Sequence, residues 1–228
     1  FVKTVDASDF IEMTGTTFTT KRGVNSLLGK SWRMLAKSLR PVPDEWFGLK
    51  DEDERYRRRY VDMLLNPEFA DLIRKRSVFW NTVRSFMLDK SFIEVETPIL
   101  ETLTGGAEAR PFVTHHNALD INLNLRIAPE LYLKKLLAGG YSRVYELGRN
   151  FRNEGIDMTH NPEFTMLEFY AAYATADTQM AFVEKMMKTL VKRVLKTAKV
   201  TAGEDVIDFS KKFAVISFFE LLKRYALI

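Results

Sequence analysis

The chain contains no cysteine. No disulfide can therefore staple it, and no thiolate zinc centre can form within it. That absence fits a reducing compartment, and a cytoplasmic location is expected. No apolar run approaches the roughly 20 residues that a membrane-spanning helix needs, so no membrane partner is expected. The first ten residues, FVKTVDASDF, lack the basic-then-apolar layout of a secretory leader. There is no internal repeat and no low-complexity segment.

What remains is the composition of an ordinary globular protein. At 228 residues the chain is long enough to bury a substantial core in one or two domains. The formal net charge of +4 is modest, and its distribution says more. Arg55, Arg57, Arg58 and Arg59 follow the acidic run Asp51 to Glu54, and Arg74, Lys75 and Arg76 come later. Such runs read either as a solvated helix face or as a contact for a polyanion such as RNA phosphate.

Residues 1–43 read as strands. Phe10 to Phe18 is rich in β-formers, Lys21-Arg22-Gly23 reads as a turn, and a second strand starts near Val24. Pro41 and Pro43 punctuate a boundary. Asp44 to Leu65 reads as one charged helix. A longer helix is expected over Pro67 to Lys90, where Phe69, Leu72, Ile73, Phe79, Trp80, Val83 and Met87 recur at helical spacing. Further strands are expected at Phe92–Val95, Asn122–Ile127, Arg143–Arg152, Glu163–Tyr173, Val206–Phe209 and Phe213–Ile216. Further helices are expected from Pro129 to Leu137, ended by Gly139-Gly140, from Asp177 as N-cap to Lys196, and from Ser217 to Tyr225.

The chemistry concentrates in VYELGRNFRNEGIDMTHNPEFTMLEFYAAYA, from Val144 to Ala174. It reads as a strand, a polar loop and a second strand that bring Arg152, Glu154, His160 and Phe164 to one surface. A guanidinium presents a rigid fork of donors suited to phosphate or carboxylate. The ring of Phe164 can stack on a flat base, and Glu154 and His160 can hydrogen-bond a base edge or phosphate oxygens.

This stretch resembles motif 2 of class II aminoacyl-tRNA synthetases, an Arg-x-Glu followed by a loop and His-x-x-x-Phe. The blocks Leu103-Thr104-Gly105-Gly106-Ala107, Arg126-Ile127-Ala128-Pro129-Glu130-Leu131-Tyr132 and Asn161-Pro162-Glu163-Phe164-Thr165 are similar to lysyl-tRNA synthetases in particular. The helix–strand–proline unit ending at Pro98 resembles motif 1, a dimer interface in that family. Read without the resemblance, it is more readily a core-packing helix with no partner.

The resemblance implies an α+β fold, namely a class II synthetase core of mixed, mainly antiparallel sheet flanked by helices. Part of an OB-fold β-barrel precedes it. The implied division is residues 1–43 as the end of an anticodon-binding OB domain, 44–66 as a linker helix, and 67–228 as catalytic domain. Relative to the family's hairpin, the join at Arg22–Asn25 is several residues short. The implied reaction is activation of L-lysine with ATP to lysyl-adenylate, followed by transfer to tRNA(Lys), in a homodimer formed through the motif 1 helix.

Carried over residue by residue, Arg152 is catalytic and bridges the lysine carboxylate and the α-phosphate. Glu154, His160 and Phe164 join it in binding ATP. Gly106, Glu130, Glu168 and Tyr170 join it in binding lysine, since a buried ammonium is costly unless paired. Thr104 stands where the family has proline.

The family's third motif, its magnesium carboxylates and the glutamate for the lysine ε-ammonium are expected beyond Ile228. No metal ligand is thus assigned here, Mg2+ is expected as a cofactor held elsewhere, and residues 1–228 alone are expected to form no lysyl-adenylate. Two rivals stand beside this reading: a ligase that places lysine on a protein, of elongation-factor-P type, and a non-catalytic dimerising or RNA-binding paralogue.

Overall fold

Two long strands open the chain. β1 (Phe10–Thr19) and β2 (Asn25–Ala36) pair antiparallel, as their β-rich composition predicts. The turn is closed by bonds from Thr20 N to Val24 O (2.9 Å) and from Gly23 N to Thr20 O (2.9 Å). Gly23 has φ +79°, a conformation that favours glycine. A register shift falls between Thr14 and Gly15. Among the described residues this sheet has two strands and closes no barrel.

The computed structural model describes residues 3–40, 42, 49 and 51–226. Pro41, Pro43 and the expected helix start at Asp44 lie outside them. Where one charged helix is expected, two short ones form: α1 (Glu52–Arg57) and α2 (Arg59–Leu65). Asp51 caps α1 by accepting from Glu54 N at 2.9 Å. The helix breaks at Arg58, whose φ of −109° and ψ of 46° are not helical. Across that break, Arg55 Nε donates to Asp62 Oδ1 (2.9 Å), and Asp62 is buried. A buried carboxylate must be paired, and the break lets Arg55 pair with it. Arg59 lies 4.7 Å from the Tyr56 ring centroid and 4.4 Å from that of Phe69, within cation–π range.

α3 (Pro67–Asp89) begins with proline at its first position, where no N–H is needed. The chain divides within this helix into two compact units, Phe1–Arg74 and Lys75–Ile228. The expected apolar stripe of α3 is divided too. Val83, Phe86 and Met87 are buried, whereas Leu72 and Ile73 are exposed.

In the second unit, β3 (Ile93–Glu94) runs parallel to β7 (Arg143–Phe151), which pairs antiparallel with β8 (Glu163–Ala171). A second sheet has the order β4 (Leu100–Glu101), β6 (Ile121–Leu125), β5 (Val113–His116). β4 and β5 are too short to register in the sequence pattern. α4 (Glu130–Ala138) follows Pro129, which occupies the N-cap rather than the first turn. Gly140, at φ +102°, reverses the chain after α4.

α5 (Ala176–Leu195) is capped not by Asp177 but by Thr175, whose hydroxyl exchanges hydrogen bonds with Thr178 in a capping box. Asp177 sits in the first turn, where it favours the helix dipole. β9 (Lys199–Ala202) and β10 (Asp205–Asp208) form a hairpin, and α6 (Phe218–Tyr225) is capped by Ser217. Phe213–Ile216, expected as a strand, pairs with no strand among the described residues; Phe213 N instead donates to Glu184 Oε1 at 3.3 Å.

The core of the second unit joins Val83, Phe86 and Met87 of α3, Phe92, Tyr145 of β7, and Met186 and Leu190 of α5. Leu147, Leu167 and Phe169 pack against it. Each such side chain contributes about 1.5–3 kcal/mol when fully buried. No helix among the described residues is long and apolar enough to cross a membrane.

Candidate active site

Side chains alternate across a strand, so the core fixes which residues of β7 and β8 face away from it. Tyr145, Leu147, Leu167 and Phe169 point into the core. Glu146, Gly148 and Asn150 therefore share the opposite face with Phe164, Met166, Glu168 and Tyr170. The register pairs Glu146 with Glu168, Gly148 with Met166, and Asn150 with Phe164.

Arg152 continues this face one step past β7, where its N–H donates to Pro162 O (2.9 Å). Its guanidinium carbon lies 5.2 Å from the Phe164 ring centroid. Its Nε is buried and has no hydrogen-bond partner among the described residues. A buried donor left unpaired is costly, so this atom is suited to a ligand. Arg152, Glu154, Thr159, His160, Asn161 and Phe164 line one cavity of about 250 Å³. All four residues assigned to ATP thus meet. Glu154 Oε1 accepts from Arg110 N at 3.4 Å, and Arg110 O accepts from Asn153 N at 2.8 Å. These bonds tether the start of the loop to the segment before β5.

The loop's shape comes from Asp157, a residue without an assigned role in the sequence reading. Its carboxylate accepts from Thr159 N (2.7 Å), Thr159 Oγ1 (2.9 Å) and His160 N (2.8 Å), and pairs with His160 Nδ1 (2.8 Å). Those bonds, the Thr159 amide first, lower its pKa to about 2. Asp followed two residues later by Thr is an Asx-turn signal in the sequence. With Nδ1 on Asp157, the other ring nitrogen of the exposed His160 is left for a ligand.

The second cluster lies farther along the strands. Phe164 and Glu168 are four residues apart, about 13 Å along a strand. Tyr170 Oη donates to Glu168 Oε1 at 2.8 Å. Burial raises the pKa of Glu168 most; the Tyr170 hydrogen bond opposes this, and the nearby carboxylates of Glu130 and Glu146 add to it. Burial likewise raises the Tyr170 phenol. Glu130, the first residue of α4, is ion-paired to Lys134 one turn on.

Gly106 has φ +87°, and a Cβ there would lie 2.7 Å from Glu130 Cβ and 3.3 Å from Ala128 Cβ. Only glycine lets this turn close against Glu130. Gly106, Glu130, Glu168 and Tyr170 thus form a small acidic cluster, and Arg152 lies with the cavity at the other end of the face.

A family model for tRNA synthetases class II (D, K and N) matches residues 51–227. The chain belongs to that class II synthetase family. It is 48% identical to the lysine–tRNA ligase of Clostridium botulinum (strain Hall) over 224 residues, which is 98% of this chain and 44% of that relative. It is also 49% identical over 220 residues to the heat-inducible lysine–tRNA ligase of Escherichia coli K12, covering 96% of this chain and 44% of the relative. The Clostridium tetani lysine–tRNA ligase is 48% identical over 224 residues, covering 98% of this chain and 45% of the relative. The chain therefore spans less than half the length of these curated relatives.

Within this class II domain, one organising residue had no role assigned from sequence. Arg126 opens the block Arg126–Tyr132 that also holds Glu130, and it is buried. Its Nε donates to Arg149 O (2.8 Å), and its Nη1 to Thr97 Oγ1 (3.0 Å) and Glu146 Oε1 (2.5 Å). Thr97 Oγ1 also donates to Glu146 Oε2 (2.7 Å). Arg126 thereby neutralises Glu146 beneath the acidic cluster. Its backbone accepts from Phe151 N (3.0 Å) and donates to Ile99 O (2.8 Å), joining the two sheets beside the site.

Proposed function

We propose that this chain carries part of the adenylation site of a lysine–tRNA ligase. The observation that carries the reading is the single sheet face on which Arg152 and Phe164, beside an open cavity, share strands with the Glu168–Tyr170 pair that meets Glu130. Its length suits an amino acid joined to a nucleotide. The identities to lysine–tRNA ligases over nearly the whole chain support the choice of amino acid.

Adenylation brings two anions together. A carboxylate oxygen of L-lysine attacks the α-phosphorus of ATP, the bond to the β-phosphate oxygen breaks, and pyrophosphate leaves. A ribose hydroxyl of tRNA then attacks the lysyl carbonyl, forming the ester and releasing AMP. Arg152 would lie between carboxylate and α-phosphate and stabilise the charge that develops there. Phe164 would stack on adenine, Glu154 would fix the adenosine, and His160, aimed by Asp157, would meet phosphate. Glu130 and Glu168, with Tyr170 and the Gly106 turn, would hold the lysine ammonium groups.

Class II synthetases use ATP with Mg2+. Among the described residues no group of three or more His, Cys, Asp or Glu side chains is placed to hold a metal ion.

The remaining parts of the reading follow the same family. Residues 1–43 would be the end of an anticodon-binding OB domain, 44–66 a linker, and 67–228 the catalytic part. The exposed Leu72 and Ile73 of α3 suit a homodimer interface, and a cysteine-free chain suits the cytoplasm.

The test is lysine-dependent ATP–pyrophosphate exchange and charging of tRNA(Lys) by the full-length protein containing this chain. Exchange without tRNA charging would favour transfer of lysine to a protein. Absence of both exchange and lysine binding would overturn the reading.

A further inference from the structure

The acidic cluster already contains a lysine ammonium of the protein's own. Glu130 and Lys134 are one helical turn apart on α4, and the Lys134 ammonium is bound to Glu130 Oε1. It also lies 5.8 Å from the Tyr170 ring centroid, inside cation–π range. Tyr170 in turn donates to Glu168. One resident cation thus sits among the three side chains assigned above to the substrate's ammonium groups.

We propose that Lys134 is a built-in placeholder: its ammonium occupies the cation site of the empty pocket and is displaced when lysine binds. The inference rests on the reading of Glu130, Glu168 and Tyr170 as the lysine pocket, and it adds a competing residue to that pocket.

The reason such a cation belongs there is electrostatic. Glu130 and Glu146 each lie near Glu168, and of these three Arg126 is ion-paired to Glu146. Like charges in a partly desolvated cleft repel. The Lys134 ammonium balances the charge of Glu130 and holds its side chain in place without substrate. The anchor is also releasable. The Lys134 side chain is 54% exposed and that of Glu130 28%, so the ammonium can swing into water about its flexible stem without moving the backbone. An incoming α-ammonium would take its place on Glu130 and leave the pocket's charge unchanged.

Exposed pairs of this spacing are weak, so removing the competitor in Lys134→Met should lower the Kd for L-lysine about two- to fivefold. The measurement is titration calorimetry on the full-length protein. Lysinamide, which lacks the carboxylate, should tighten by the same factor, ATP should bind as in the wild type, and Lys134→Arg should keep the wild-type Kd. Lys134→Gln carries the same expectation as Lys134→Met should the latter fold poorly. A second readout is direct: acetylation of Lys134 by acetic anhydride, measured by mass spectrometry relative to the protein's other exposed lysines so that reagent consumed by free lysine cancels, should speed up when L-lysine saturates the wild-type protein.

A Kd for L-lysine that is unchanged or raised in Lys134→Met overturns the placeholder, as does slower acetylation of Lys134 in the presence of lysine. A loss confined to L-lysine, with lysinamide unaffected, would mean that Lys134 grips the substrate carboxylate instead. Wild-type protein that binds no lysine would remove the pocket reading and this inference together, whereas normal wild-type binding with no gain in the variants removes only the inference.

Discussion

The guanidinium of Arg126 lies directly over Gly148, filling the space that a side chain at position 148 would need. From there it donates to Glu146, two residues back on the same strand face. The missing side chain of one residue is therefore what lets a buried arginine reach a buried glutamate beneath the acidic cluster.

This relationship predicts a stability cost that is unequal between partners. Arg126→Met leaves Glu146 buried and uncompensated, and removal of one member of such a pair costs about 3–5 kcal/mol. Gly148→Val should act in the same direction, by pushing Arg126 out of place. Urea unfolding of both variants checks this. A loss under about 1 kcal/mol for Arg126→Met would mean that Glu146 is satisfied by other groups.

Arg152→Ala removes the donor assigned to the transition state. Lysine-dependent ATP–pyrophosphate exchange by the full-length protein should fall by about 10²-fold or more, the scale for one preorganised donor. The melting temperature should change little, because Nε of Arg152 has no partner to lose. Exchange near the wild-type rate would take Arg152 out of the mechanism.

Glu130→Gln keeps the shape of the side chain and loses its charge. Lysine affinity should drop by about 2–3 kcal/mol, as for a charged hydrogen bond lost from a desolvated site, while ATP affinity holds. Calorimetry with each ligand separates the outcomes; equal losses for both would point to a structural role.

Asp157 gives a pH prediction. Its pKa is lowered to about 2 in the folded loop, from an ordinary 3.8. The depressed carboxylate contributes to loop order at pH values above 3.8, and this contribution is lost as the pH falls through about 2. Its carboxyl carbon, followed by NMR, should titrate near 2, with the Thr159 and His160 amide signals moving alongside. A midpoint near the ordinary value would show that the Asx turn does not hold the loop. Asp157→Asn should also weaken ATP binding, since His160 loses the partner that aims it.

Much of this protein was determined by the sequence itself. β7 and β8, the loop between them, α3 and the turn at Gly106 follow from local chemistry. Alternating side chains settle which strand residues face the site once the core is known, and proline, glycine and helical spacing mark the element ends. That Arg152, Glu154, His160 and Phe164 meet at one cavity was legible for the same reason: they sit close together in sequence, so the loop alone gathers them.

Tertiary structure decided the rest. The charged helix before α3 breaks at Arg58, where Arg55 pairs with the buried Asp62. Thr175 and Thr178, rather than Asp177, cap α5, because a cap is chosen by backbone geometry as well as by residue type. β4, β5 and β9 are too short for any periodicity, and Phe213–Ile216 finds no strand to pair with. Above all, the link from Arg126 to Glu146 and the place of Lys134 beside Tyr170 join α4 and the segment before it to strands well apart in the sequence. A buried charge takes its partner from whatever the fold brings within reach, and no spacing along the chain encodes that.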